Sequence, residues 1–330
     1  MRPISVLDFG AHTVIVLIAR QKKSGEWEVL GGGDVQAQGA AKGEIVHTGD
    51  AAECVTEAIR RAEISSGEKV RTLYYNFDHA SIQTQDAHGT KYLIGEGQIR
   101  GSDIHQAKDA ALRMASSFEK NTIYVSETGF LIDEKDRVLN PLGIYGQRLD
   151  VFLRVVSADS KTLDDWNKVM RRSYVAKSIP VLSAYSTALA VVPRAERIKK
   201  NLLLDLGDDF FNVILFENHG VKHCVGFDLE NLESVAQEWL KNNETVEELL
   251  ITNDQAKDDS LFYALKESVS VPVRRVSSAL PRLNDLSLTA AAGILEAAYD
   301  MEKDRPAYFE GRNLFSNLKD KAASTWNEYF

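Results

Sequence analysis

A short apolar run ending in Asp-x-Gly occurs twice in these 330 residues, and each copy is followed at once by a turn and a second apolar run. Residues 4–8 lead into Asp8-Phe9-Gly10, with residues 13–19 behind; residues 202–205 lead into Asp205-Leu206-Gly207, with residues 212–216 behind. Each run reads as a buried strand. A unit repeated about 200 residues apart marks a duplicated domain, and a chain of this length holds roughly two. In the first copy, residues 27–35 read as a third strand, interrupted by the glycines at 31–33. A helix capped by Asp50 follows, with Ala52, Val55, Ile59 and Ala62 on one face, and residues 70–75 form a further strand. Hairpin, strand, helix, strand is a mixed α/β grammar.

From residue 76 to 157 the texture changes. Residues 81–86 and 90–94 read as a polar hairpin around His88-Gly89, followed by a helix capped by Ser102 and by an alternating strand at 149–156. This block reads as a small α+β module inserted into the first domain. After it, residues 163–176 read as a helix and 183–191 as another, opened by Pro180. The implied division is 1–75 plus 158–180, the insert 76–157, a second domain 181–311, and a terminal helix 312–330.

With 44% apolar residues the chain can build its own core, so no disulfide or metal staple is needed. Thirty-nine basic against 48 acidic residues give a net charge of −9, the wrong balance for a nucleic-acid partner. Cys54 and Cys224 stand alone, which suits a reducing cytoplasm. The N-terminus lacks the pattern of a signal peptide, and no window offers the ~20 apolar residues of a membrane span. His219 and His223 are four apart across a hairpin rather than on a helix, and so make a poor metal pair.

The two Asp-x-Gly turns resemble the paired phosphate turns of the actin-like ATPase superfamily. Within it, Gly39-Ala40-Ala41-Lys42-Gly43-Glu44-Ile45-Val46 and Asn140-Pro141-Leu142-Gly143-Ile144-Tyr145-Gly146-Gln147-Arg148-Leu149 are similar to stretches of the bacterial cell-division family FtsA. The resemblance implies an α/β chain with a duplicated actin-like (RNase H-like) fold and an inserted small α+β domain. It also implies a nucleotide cleft carried by Asp8, Gly10, His12, Asp205, Gly207, Asp208, Asp209, Thr252 and Asp254.

Departures from the family pattern change what that cleft can do. The second turn usually continues Gly-Gly-Thr, because glycine lets backbone amides approach a phosphate. Here Asp208-Asp209-Phe210-Phe211 follows Gly207; the family's later acidic residue is Asn212, and its Thr-Gly-Gly is Thr252-Asn253-Asp254. Acidic side chains would repel a polyanion by on the order of a kcal/mol each. The reading is a vestigial cleft with no catalytic residue and no cofactor, ATP and magnesium being disfavoured. Gathering Asp8, Asp205, Asp208 and Asp209 around a hard cation, or retaining weak Mg-ATP hydrolysis, are the alternatives. Only about twenty residues separate residue 226 from the strand at 249–252, so the family's upper lobe of the second half is missing, and with it the usual contact to FtsZ. The resemblance then implies a scaffold that binds cytoplasmic tails of membrane division proteins, or a platform of the GspL or PilM type in type II secretion or type IV pili. Self-association is a further implied contact. Residues 313–330 read as an amphipathic helix with Phe315, Leu318, Trp326, Tyr329 and Phe330 on its apolar stripe, placing the chain in the cytoplasm, peripheral at the inner membrane.

Overall fold

Two five-stranded sheets of the same strand order make up the two halves of the chain. The structure, a computed structural model, describes residues 2–41, 43–79, 81–207, 210–278 and 288–303. The first half contains β1 (Ile4–Phe9), β2 (Thr13–Gln21), β3 (Trp27–Gln36), the short pair β4 (Ala40–Ala41) and β5 (Glu44–Ile45), α1 (Thr48–Ser66) and β6 (Thr72–Phe77). The insert supplies β7 (Gln83–Gln98), α2 (Gly101–Ala115), β8 (Lys120–Ile132), β9 (Asp136–Val138) and β10 (Tyr145–Asp159). Then come α3 (Ser160–Arg172), β11 (Lys177–Leu182) and α4 (Ser183–Val191). The second half runs β12 (Asn201–Leu206), β13 (Phe210–Glu217), β14 (Gly220–Asp228), α5 (Leu232–Lys241), β15 (Leu249–Thr252), α6 (Asp259–Ser268), β16 (Val273–Arg275) and α7 (Thr289–Lys303).

The first sheet is ordered β11-β6-β1-β2-β3 and the second β14-β13-β12-β15-β16, so an antiparallel meander is extended by two parallel strands in both. This is the duplication that the paired Asp-x-Gly runs announce. Period-two alternation decides how each sheet is covered. Leu202, Leu204 and Leu206 face α5 and α6 in one core, while Leu203, Ile214 and Leu250 on the other face join the core that holds α4. The helix α7 follows the second sheet in sequence but lies against β1, β2 and β6 of the first. Gly293 is where α7 crosses α4: a Cβ there would sit 2.0 Å from the Ser186 carbonyl oxygen.

Asp50 and Ser102 lie in the first turns of α1 and α2 rather than at their caps, which are His47 and Arg100. Three further expectations fail, each for a physical reason. The triple glycine does not interrupt β3, because a Cβ at Gly31 or Gly33 would meet α1 at 2.5 and 2.4 Å. The hairpin at His88-Gly89 is one continuous strand, β7, and Gly89 gives α2 room: a Cβ would meet the Ala107 oxygen at 2.1 Å. Pro180 opens no helix; it sits inside β11, an edge strand, where a missing N–H is tolerated.

The insert forms its own sheet, β7-β10-β8-β9, with α2 covering one face against Leu149, Val151, Leu153 and Phe130. The near end of the insert is tied to the second half. The Tyr124 hydroxyl accepts from Val221 N at 3.2 Å, and Ser126 Oγ donates to Val221 O at 3.3 Å. Between β14 and β15 lie one 3-10 turn (Leu229–Asn231) and α5, with no further lobe among the described residues.

Candidate functional site

Parallel pairing of β1 with β6 and of β12 with β15 brings their carboxyl ends to the junction of the halves, which is where open α/β sheets bind ligands. Asp8 lies one residue from the end of β1 and is buried. Its Oδ1 accepts from Asn76 Nδ2 at 2.8 Å, and Asn76 Oδ1 accepts from Phe9 N at 2.9 Å, so one side chain of β6 holds the first turn from two sides. Gly10 N donates to Thr13 O at 3.0 Å, closing the turn on itself. His12 is exposed, and its carbonyl accepts from Ala37 N at 2.9 Å.

Asp205 lies on the α4 face of β12 and is buried. Thr187 Oγ1 donates to its Oδ2 at 2.9 Å, and Asn253 Nδ2 donates to Oδ1. Asn253 has a φ of 72° and a ψ of −173°, a conformation essentially reserved for glycine, which the family's glycine would occupy freely and in which asparagine is strained. Thr252 is fully buried in register with Asp205, and its Oγ1 has no hydrogen-bond partner among the described residues. Asn212, directly across from Asp205 on β13, donates from Nδ2 to Asp78 Oδ2 at 2.5 Å. Asp78 immediately follows β6, so this bond joins one half to the other.

Burial pushes the Asp205 carboxyl up to about 7; the Thr187 hydroxyl opposes the rise and the charge of Asp78 adds to it. Burial also raises Asp78, against the hydrogen bond from Asn212. The Cys224 thiol is pushed up by burial and by the same two carboxylates, which makes it an inert core group.

Of the residues expected at the cleft, Asp205 and Thr252 come together, joined by Asn253, which was not expected there, and Asp8 with Gly10 forms the first turn. Gly207 follows β12 directly. Asp254 begins a 3-10 turn, Asp254–Lys257. Asp208, Asp209, the side chain of Asp254 and the whole segment 312–330 with Phe315, Leu318, Trp326, Tyr329 and Phe330 lie outside the described residues. The carboxylate whose charge bears on Asp205 is that of Asp78. No cluster of three His, Cys, Asp or Glu placed to hold a metal occurs among the described residues. Asn76, Asp78 and Thr187 were not expected. The signal for the first two is Asn76-Phe77-Asp78, a polar ending on an otherwise apolar strand parallel to β1.

A magnesium-bound polyphosphate needs open backbone amides at a glycine turn and ionised carboxylates free to meet the cation. Here Phe9 N and Gly10 N are already bonded, Asp8 and Asp205 accept from neutral amides, and the second turn keeps only Gly207 of its glycines.

Comparison with known proteins starts at the insert. Residues 80–157 match the family model of the SHS2 domain inserted in FtsA. The chain is FtsA-like, with an actin-like fold. It is 23% identical over 302 residues to the cell division protein FtsA of Pseudomonas aeruginosa, covering 89% of this chain and 70% of that one. It is 21% identical over 271 residues to FtsA of Borreliella burgdorferi, covering 81% and 65%. The alignments leave about a third of each relative unmatched. A chain of the PilM-PilN type IV pilus biogenesis complex superposes with a TM-score of 0.59 at 10% identity, over 89% of this chain and 98% of that one, a likeness of fold. Among the described residues, no helix is long and apolar enough to cross a membrane.

Proposed function

We propose that the chain is a non-catalytic, FtsA-like adaptor at the inner membrane that links cytoplasmic and membrane proteins in cell division. The observation that carries the reading is the contrast between the two parts of the molecule. At the junction, side chains of the chain itself satisfy the groups a nucleotide would use, whereas the SHS2 insert keeps its sheet, its helix and its tie to both halves. Partners of an adaptor bind through surfaces. The edge strand β7 spans 16 residues, and its outer side has no strand partner among the described residues, so it can take an added strand from a membrane protein's cytoplasmic tail. The FtsZ contact is left out of the reading, because one turn and α5 stand where the family carries its upper lobe. Residues 312–330 supply the contact with lipid.

A second reading is a cytoplasmic platform of a type IV pilus or type II secretion machine. It is favoured by the 98% coverage of the pilus-complex chain, against 70% of the first FtsA. Both readings dispense with nucleotide. Thermal unfolding of the full chain with and without Mg-ATP should give the same midpoint, since a ligand bound only to the folded state must raise it. A rise that saturates below millimolar Mg-ATP overturns the non-catalytic reading. Capture of membrane division proteins by the full chain but not by one lacking 76–157 supports the adaptor, and equal capture by both refutes docking through the insert.

A further inference from the structure

Asn212 and Asp78 belong to different halves, 134 positions apart in sequence, and meet by one hydrogen bond at 2.5 Å. In the actin-like pattern an acidic residue stands at position 212, and two carboxylates facing each other there would need a cation between them. Asparagine replaces a charge with a donor. The neighbourhood is built around that bond. The loop before α1 backs Asp78: Gly43, with a φ of 79°, brings its backbone so close that a Cβ would lie 2.4 Å from the Asp78 carbonyl oxygen. Trp166 Nε1 holds Gly43 O at 3.2 Å, and His79 meets Ser81 at 2.8 Å and Glu44 at 3.3 Å. On the other side Asp205, flanking Asn212, is held by Thr187 of α4 and by Asn253.

We propose that the Asn212–Asp78 hydrogen bond is a latch that holds the two halves closed without a nucleotide, in the place where an actin-like chain would use a bound cation and phosphate. The latch goes beyond the adaptor reading, because it concerns the chain alone and is independent of any partner. It gives such an adaptor one fixed shape rather than a cycle of shapes. Charged and titratable groups facing the bond are Asp205 on β12, His79 from the first half, and Cys224 on β14, with Glu44 behind His79. Among the described residues no lysine or arginine stands with them to compensate a second carboxylate at position 212.

Amide hydrogen exchange of the full chain tests this, read at α4 and β12 against β10 of the insert as an internal reference. Asn212→Asp should speed exchange at α4 and β12 by about 10- to 100-fold at pH 8, the size of a charge-assisted hydrogen bond, and by much less at pH 5, where the paired carboxyls share a proton. The exchanged pair, Asp78→Asn with Asn212→Asp, restores one donor and one acceptor and should return protection to within about 3-fold of the native chain. If Asn212→Asp fails to fold, Asp78→Asn alone keeps a neutral acceptor and should show a smaller acceleration, under about 10-fold. Native exchange at pH 8 in Asn212→Asp overturns the latch. So does an exchanged pair that leaves α4 and β12 unprotected while β10 stays protected.

Discussion

Replacing Gly293 by alanine sets two effects of known sign against each other. Helix propensity favours alanine over glycine by about 1 kcal/mol in a helix interior. At this position the new Cβ would stand 2.0 Å from the Ser186 carbonyl oxygen, 2.5 Å from its carbon and 3.2 Å from Ala190 Cβ, where ordinary contact begins near 3.4 Å. The obstacle is backbone on a neighbouring helix, so α7 and α4 must move apart by more than 1 Å along a line where both are buried. Overpacking of this kind costs about 1–3 kcal/mol, and a shortfall this large against backbone belongs at the upper end. The net expectation is a loss of about 2 kcal/mol. Gly49, in the first turn of α1, is the control, because a Cβ there meets nothing within 4 Å. Gly49→Ala should gain about 0.5 kcal/mol from propensity alone. Urea unfolding followed by far-ultraviolet circular dichroism reads both as midpoint shifts at unchanged slope. A Gly293→Ala midpoint equal to or above the native one refutes the close crossing of the two helices.

Asp205→Asn should flatten the dependence of stability on pH. The folded carboxyl titrates near 7 and an unfolded aspartate near 3.9, so the native contribution is fully present below about pH 4 and is lost as pH rises to 7. Midpoints of native and Asp205→Asn chains that fall in parallel between pH 4 and 7 would rule this out. A chain ending at Gly311 should lose the liposome co-sedimentation shown by the full chain; equal recovery in the pellet disposes of the terminal anchor. Gly89→Val should unfold the insert first, because the Ala107 carbonyl lies 2.1 Å from any Cβ there; it would show as lost exchange protection in α2 and β7 with β12 unaffected.

The doubled sheet was legible because strands at 4–8 and 202–205 are apolar, short and closed by the same polar ending. Glycine was the least legible residue. At 31, 33 and 89 its smallness serves a helix lying across a strand, and sequence spacing alone cannot tell that use from a turn. The strand β11 was hidden by Pro180, whose tolerance depends on being at a sheet edge. At the site, Asp8, Asp205 and Thr252 were found through their motif turns. Thr187 was invisible, because only the crossing of α4 over β12 brings its hydroxyl to Asp205. Asp78 carries no glycine signature, and its partner Asn212 read simply as a lost acid.

Because α7 covers the first sheet although it is encoded after the second, the order of synthesis and the order of packing disagree. A ribosome has released β1, β2 and β6 long before residue 303 leaves it. Their faces that await Ile294, Leu295 and Ala298 stay bare through the making of some two hundred residues. Domains encoded early generally fold as units while the rest is still being made, and exposed strands invite aggregation. The insert, with a core of its own, is the one part of the first half that can close early; the sheet that α7 covers cannot, so fragments ending before that helix should be recovered from cells as aggregates.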